Sequence, residues 1–86
     1  MKINSNYVIK KVLDCDVIIN INSNTDDIIK INNTSKDICD CVNKNMTIDE
    51  IVDFLSNKYD VETSTLKKDV EEFIKEMIHK GIFIDD

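Results

Sequence analysis

The sequence predicts an α+β domain in which a three-stranded antiparallel sheet is followed by three helices, a winged-helix-like packing with the element order reversed. Two observations carry this. Apolar residues recur with a period near two as far as Ile31 and with the period of a helix from Asn33 onward. The 86 residues also contain no proline and a single glycine, with no repeat or linker composition. One core therefore organises residues 1–86 as a single domain, because two halves would each be too small to bury a useful interior.

Tyr7 to Leu13 reads as the first strand, with both faces partly apolar, and Asp14-Cys15-Asp16 as the break after it. In the second strand, Val17 to Ile21, the residues Val17, Ile19 and Ile21 share a face. Asn22-Ser23-Asn24-Thr25 is a turn cluster in which Asn24 is best suited to a left-handed conformation. The third strand, Asp27 to Ile31, places Ile29 and Ile31 on one side and Ile28 and Lys30 on the other. Short turns between short strands predict a meander whose first and third strands are edges.

Thr34 is the expected cap of the first helix, with Asp37 near its positive end. Ile38, Cys41 and Val42 form its inward stripe with Cys39 at the margin, and Asn43-Lys44-Asn45 ends it. Thr47-Ile48-Asp49-Glu50 is a capping box, flanked by Met46 and Ile51 at the positions of a hydrophobic staple. The second helix then runs to about Lys58, burying Ile48, Ile51, Val52 and Leu55. Thr63, Ser64 or Thr65 caps the third helix, which Gly81 terminates. Leu66, Val70, Phe73 and Met77 form its core face, and Ile74 and Ile78 widen that stripe on the side of Lys67 and Glu71. Ile82-Phe83-Ile84 is expected to pack back on the core or fray.

Composition excludes several functions. Eleven Lys and Arg against 17 acids leave a net charge of −6, with no basic cluster longer than Lys67-Lys68. Nucleic-acid binding draws its affinity from neutralised phosphates, so this balance argues against it, and against anionic lipid surfaces. A neutral or basic peptide is the better partner. Neither a signal peptide nor an apolar run near the roughly 20 residues of a membrane span is present, so a cytoplasmic location is expected. Three cysteines in a reducing compartment predict free thiols.

Cys39 and Cys41 point about 200° apart on a helix, with Cys15 remote and His79 the lone histidine, so a shared metal ion is disfavoured and small buried thiols are the expectation. His79 has no nucleophile or acid at a working spacing and reads as a solvent-facing residue at the negative end of its helix. Asp26-Asp27, Glu71-Glu72 and Asp85-Asp86 read as solvated charge, and one glycine rules out a phosphate-cradling loop. No cofactor is implied, and the chain is expected not to be an enzyme.

The remaining signal is a surface. The third strand is short, apolar and on an edge, guarded only by Lys30 and Asp26-Asp27, and an edge of that kind is either guarded or used. Periodicity leaves two arrangements open. The strand and the flank of Ile74 and Ile78 line a groove that takes an extended peptide as a fourth strand. In the other arrangement the helices close over the edge, and Ile74 and Ile78 are ordinary core.

Ile31-Asn32-Asn33-Thr34-Ser35 followed by Asp37-Ile38-Cys39 resembles the L-N-x-T-A-x-x-I-L joint of PqqD-like proteins. Thr47-Ile48-Asp49-Glu50-Ile51 resembles their s-v-x-E-I segment, and Tyr59-Asp60 the aromatic end of the second helix. Asp69-Val70-Glu71-Glu72-Phe73-Ile74 resembles D-V-x-x-F-L, and Gly81-Ile82 the closing G-L. The resemblance spans residues 7 to 84 in order, with Lys44 where the family usually has glycine and Cys39 and Cys41 where it has leucine. It implies a recognition element for ribosomally synthesised, post-translationally modified peptides. Such a domain binds the leader of a precursor peptide and presents it to a modifying enzyme, such as a radical-SAM enzyme, a leader peptidase or a cyclase. Carried over by position, the contacts are Ile28, Ile29, Lys30 and Ile31 on the strand; family geometry and the helical face together add Lys67, Val70, Glu71, Ile74, Lys75 and Ile78. The competing reading is a winged-helix-like transcriptional regulator or protein-interaction module, whose DNA-binding form the acidic balance disfavours.

Overall fold

Alternating apolar residues pair into a meander before the Asn32 joint, and three amphipathic helices follow it. The computed structural model describes residues 1–22 and 28–85. Within them the elements are β1 (Lys2–Ile3), β2 (Tyr7–Val12), β3 (Cys15–Asn20), β4 (Ile28–Ile31), α1 (Asn33–Asn43), α2 (Ile48–Tyr59), α3 (Thr63–His79) and β5 (Phe83–Ile84). The predicted turn at Asn22–Thr25, the left-handed Asn24 and the Asp26-Asp27 guard fall wholly or mostly outside the described residues.

The order β2-β3-β4 is antiparallel throughout, with Ile9 opposite Ile18 and Ile18 opposite Ile29. This row faces the helices: Ile18 is fully buried, and Ile9, Ile29 and Ile31 pack against the same core. Val17 and Ile19 therefore point to the other side of the sheet. The hairpin break lies one to two residues earlier than expected. Leu13 and Asp14 form it, Leu13 at φ 57°, and Cys15 and Asp16 already belong to β3. A two-residue hairpin turn demands a positive φ that matches strand twist, and that demand outweighs the poor fit of leucine to it.

The helix boundaries show where local chemistry decides. Asn32, not Thr34, caps α1: its Oδ1 accepts from the Ser35 amide at 2.8 Å. An extended residue two positions before Thr34 presents its side chain to the first free amides, whereas Thr34 is already inside the helix. The capping box of α2 forms in full, the Glu50 amide donating to Thr47 Oγ1 at 3.2 Å and the Thr47 amide to Glu50 Oε1 at 2.9 Å. Helix α3 begins at Thr63 after Glu62 and has no side-chain cap, so none of Thr63, Ser64 and Thr65 serves as one. Asn45 and Asp60 adopt left-handed conformations after α1 and α2. Gly81 does so after α3, with open space where a Cβ would sit, so its conformation rather than crowding favours glycine.

The termini close the core. β1 pairs antiparallel with β5, Ile3 opposite Phe83, as a separate two-stranded ribbon. Asn4 ties the same corner: its amide donates to Ile82 O at 2.8 Å and its Nδ2 to Gly81 O at 3.0 Å. Phe83 is fully buried and meets Phe73 edge-to-face with ring centroids 6.0 Å apart. The tail thus packs back on the core, and the polar-looking first residues supply its partner strand.

Candidate functional site

Among the described residues no strand pairs with the outer edge of β4. In an antiparallel ladder alternate residues aim their amide and carbonyl away from the neighbouring strand, so β4 offers a row of backbone donors and acceptors. Ile29 and Ile31 turn inward, while Ile28 and Lys30 are exposed on the outer face.

Beside the end of this strand lies a cavity of about 400 Å³. Its polar side is Asn32, Thr34 and Ser35 from the strand-to-helix joint, with Asp69 opposite. Its apolar side is Ile38 of α1, Val61 before α3, and Leu66, Val70 and Phe73 of α3. The Asn32 cap sets one wall by turning the chain from β4 into α1. The other wall follows from helical spacing: Asp69 and Phe73 are four apart and flank the buried Leu66–Val70–Met77 stripe on one side.

That spacing separates the predicted helix residues. Val70 is buried and lines the cavity. Ile74 lies about 100° round from Phe73, is 3% exposed and belongs to the core. Lys67, Glu71 and Ile78 continue the Ile74 flank, with Lys75 beside them, and none lines the cavity. Ile78 is 48% exposed, in a shallow depression with Glu72, Lys75, Glu76 and His79. The edge of β4 is therefore open, as the groove arrangement requires, while Ile74 is core, as the closed arrangement requires. Leu66, Asp69 and Phe73 line the cavity without being among the predicted contacts; Phe73, predicted as core, packs against the core while staying partly exposed to the cavity.

The two cysteines of α1 are packing residues. Cys39 and Cys41 are buried, and burial pushes the Cys39 thiol up to about 12 and raises that of Cys41. Such thiols stay protonated and unreactive at neutral pH. Cys15 is partly exposed and lies within β3 rather than in the turn. Among the described residues no three His, Cys, Asp or Glu side chains converge as metal ligands, and no helix is long and apolar enough to cross a membrane.

Asp37 ties α1 to α2. Its carboxylate receives Lys58 Nζ at 3.0 Å and the hydroxyl of Tyr59. Burial raises the Asp37 pKa, but the Tyr59 hydroxyl and the Lys58 ammonium outweigh this and leave it below the ordinary carboxylate value. This fixes the base of α1, on which Thr34, Ser35 and Ile38 sit.

Two solved structures share this fold over nearly their whole length. The structure of TbiB1 in complex with the TbiA(beta) leader peptide superposes with a TM-score of 0.80 at 22% identity, over 99% of this chain and 100% of that one. Lasso peptide synthetase B1 complexed with its leader peptide superposes with a TM-score of 0.84 at 14% identity, over 98% and 96%. A search of curated proteins finds no match. Residues 17–82 match the family model of coenzyme PQQ synthesis protein D. That segment runs from β3 through Ile82, so it takes in the open strand and both walls of the cavity, and the chain belongs to the PqqD family.

Proposed function

We propose that this protein is a non-catalytic adaptor that binds the leader segment of a ribosomally synthesised precursor peptide and presents it to a modifying enzyme. The observation that carries this reading is the edge of β4, unpaired among the described residues and followed at once by Asn32, which lines an apolar-floored cavity. Membership of the PqqD family supports it, as does the fold shared with two proteins solved with leader peptides. The enzyme served is of the class that acts on such precursors: a radical-SAM enzyme, a leader peptidase or a cyclase.

The leader adds as a fourth strand along Ile28, Ile29, Lys30 and Ile31. Each backbone bond contributes a net of about 0.5–1.5 kcal/mol, while ordering a flexible peptide costs about 2–5 kcal/mol. The ladder alone is therefore a weak binder, and one or two buried side chains at about 1.5–3 kcal/mol each must add the rest. The cavity is the acceptor for one of them, with Val70, Leu66 and Phe73 as its helical floor and Asp69 at its rim. Lys67, Glu71, Lys75 and Ile78 then contact only a leader that crosses over the helix to its other flank.

Titration of a fluorescent leader tests this. Backbone N-methylation at alternate leader residues is expected to weaken binding at least tenfold in one register and little in the other. Val61→Asp, which puts a charge on the cavity wall at an already exposed position, is expected to do the same. Ile78→Asp reports on the opposite flank, and a large loss there with none for Val61→Asp moves the contact to Ile78. Ile74→Asp is no test, since Ile74 is buried and the variant unfolds. A leader that binds equally well in both methylation registers is not an added strand, and the reading fails.

A further inference from the structure

The helices cover one face of the sheet, and the other face is apolar too. In register, Val8, Ile19 and Ile28 form one row of this outer face, Lys10, Val17 and Lys30 the next, and Val12 and Cys15 the third. Six of these residues are apolar or cysteine, two are lysines and none is acidic, in a chain with 17 acids. Val17 is only 4% exposed yet lies outside the core cluster. In register it sits between Lys10 and Lys30, two exposed residues whose side chains combine aliphatic stems with charged heads.

The hairpin tip continues the face. Leu13 is 91% exposed and held at φ 57°, where glycine or asparagine would be less strained. A large apolar side chain that is both nearly bare and conformationally costly contributes nothing to the folded monomer.

The geometry points to this outer face as the docking surface for the enzyme that receives the leader, through an enzyme patch that is apolar and rimmed by carboxylates. This rests on the leader-binding reading. Charge complementarity selects the occupant. Among the described residues a second copy docked face to face would bring four lysines together against only the Asp14 carboxylate at each hairpin tip, and an anionic membrane would meet a protein of net charge −6. Position supports the same choice: a leader strand beside β4 adds a further row to this face, so an enzyme seated there touches the outward side chains of the leader.

The test uses the full chain, its leader and the purified enzyme that modifies or cleaves the same precursor. Lys10→Glu and Leu13→Asp lie on β2 and the hairpin tip, across the sheet from β4. The double variant is expected to keep its melting temperature and its leader affinity within twofold while losing at least tenfold in enzyme affinity by sedimentation. Cys15, the one cysteine that is not buried, gives a second readout: enzyme binding is expected to slow its alkylation at least fivefold in the parent. Unchanged enzyme affinity in the double variant, or an unprotected Cys15, overturns the proposal. So does self-association of the parent, or its binding to phosphatidylglycerol vesicles, if either is abolished by the same substitutions. Loss of leader binding by the parent is read in the leader titration alone and strikes the underlying reading instead.

Discussion

The two ends of the β structure each pair on one side and differ in what fixes them. β5 is two residues long, fully paired with β1, and anchored by a buried aromatic ring. β4 is twice that length, pairs with β3 alone among the described residues, and leads through Asn32 into a cavity. Among those residues each strand therefore leaves one edge unpaired, and what separates them is that the buried Phe83 ring fixes β5 whereas β4 carries exposed Ile28 and Lys30 next to the cavity-lining joint. The difference teaches that an open edge by itself does not mark a site in so small a domain; a neighbouring cavity does.

Four substitutions sharpen or break this contrast. Phe83→Ala removes a fully buried ring and its edge-to-face partner, and is expected to destabilise by about 3–5 kcal/mol in urea denaturation. Ile28→Lys on the open edge is its counterpart, with an expected change within about 0.5 kcal/mol. Similar costs for the two would show that β4 is as integral as β5. Asn32→Ala deletes the cap that turns β4 into α1 and is expected to lose about 1 kcal/mol, whereas Thr63→Ala, at a helix start with no side-chain cap, stays near zero.

The Asp37 tie has a defined pH signature. Its folded pKa is depressed below 3.8, so it contributes stability above that value and loses it as pH falls through the folded pKa. Asp37→Asn is expected to cost on the order of 1 kcal/mol at neutral pH and to flatten the acid limb of the stability curve below about pH 5. A parent and variant with parallel acid limbs would remove Asp37 from the support of the cavity wall. Leu13→Gly has the opposite sign, a gain of roughly 0.5–1 kcal/mol from relief at positive φ, readable as a small rise in melting temperature.

Local signals were legible. The capping box at Thr47, the stop at Gly81, the helix end within Asn43-Lys44-Asn45 and the inward Cys41 follow from residues within one helical turn of each other, whereas Cys39, expected at the margin, is fully buried. Where neighbouring residues offered the same chemistry, the choice was not: Asn32 and Thr34 are both good caps, and backbone extension at Asn32 decided between them. Little of the cavity was legible: of its lining only Val70 was among the predicted contacts, while the joint read as a helix cap and a family motif and Phe73 as core.

The amino-acid pattern alone determined the element types, their order, the antiparallel meander and an edge strand poor in guards, because each depends on periodicity or on contacts a few residues apart. Tertiary structure alone decided the β1–β5 ribbon, whose two-residue strands are too short to show a period and meet across a separation of 77 residues between Asn4 and Gly81. It also decided that Ile74 is buried while Ile78, one turn further on the same flank, is bare. Helical spacing assigns a residue to a side of a helix, but only the neighbouring elements determine where along that side the covering stops.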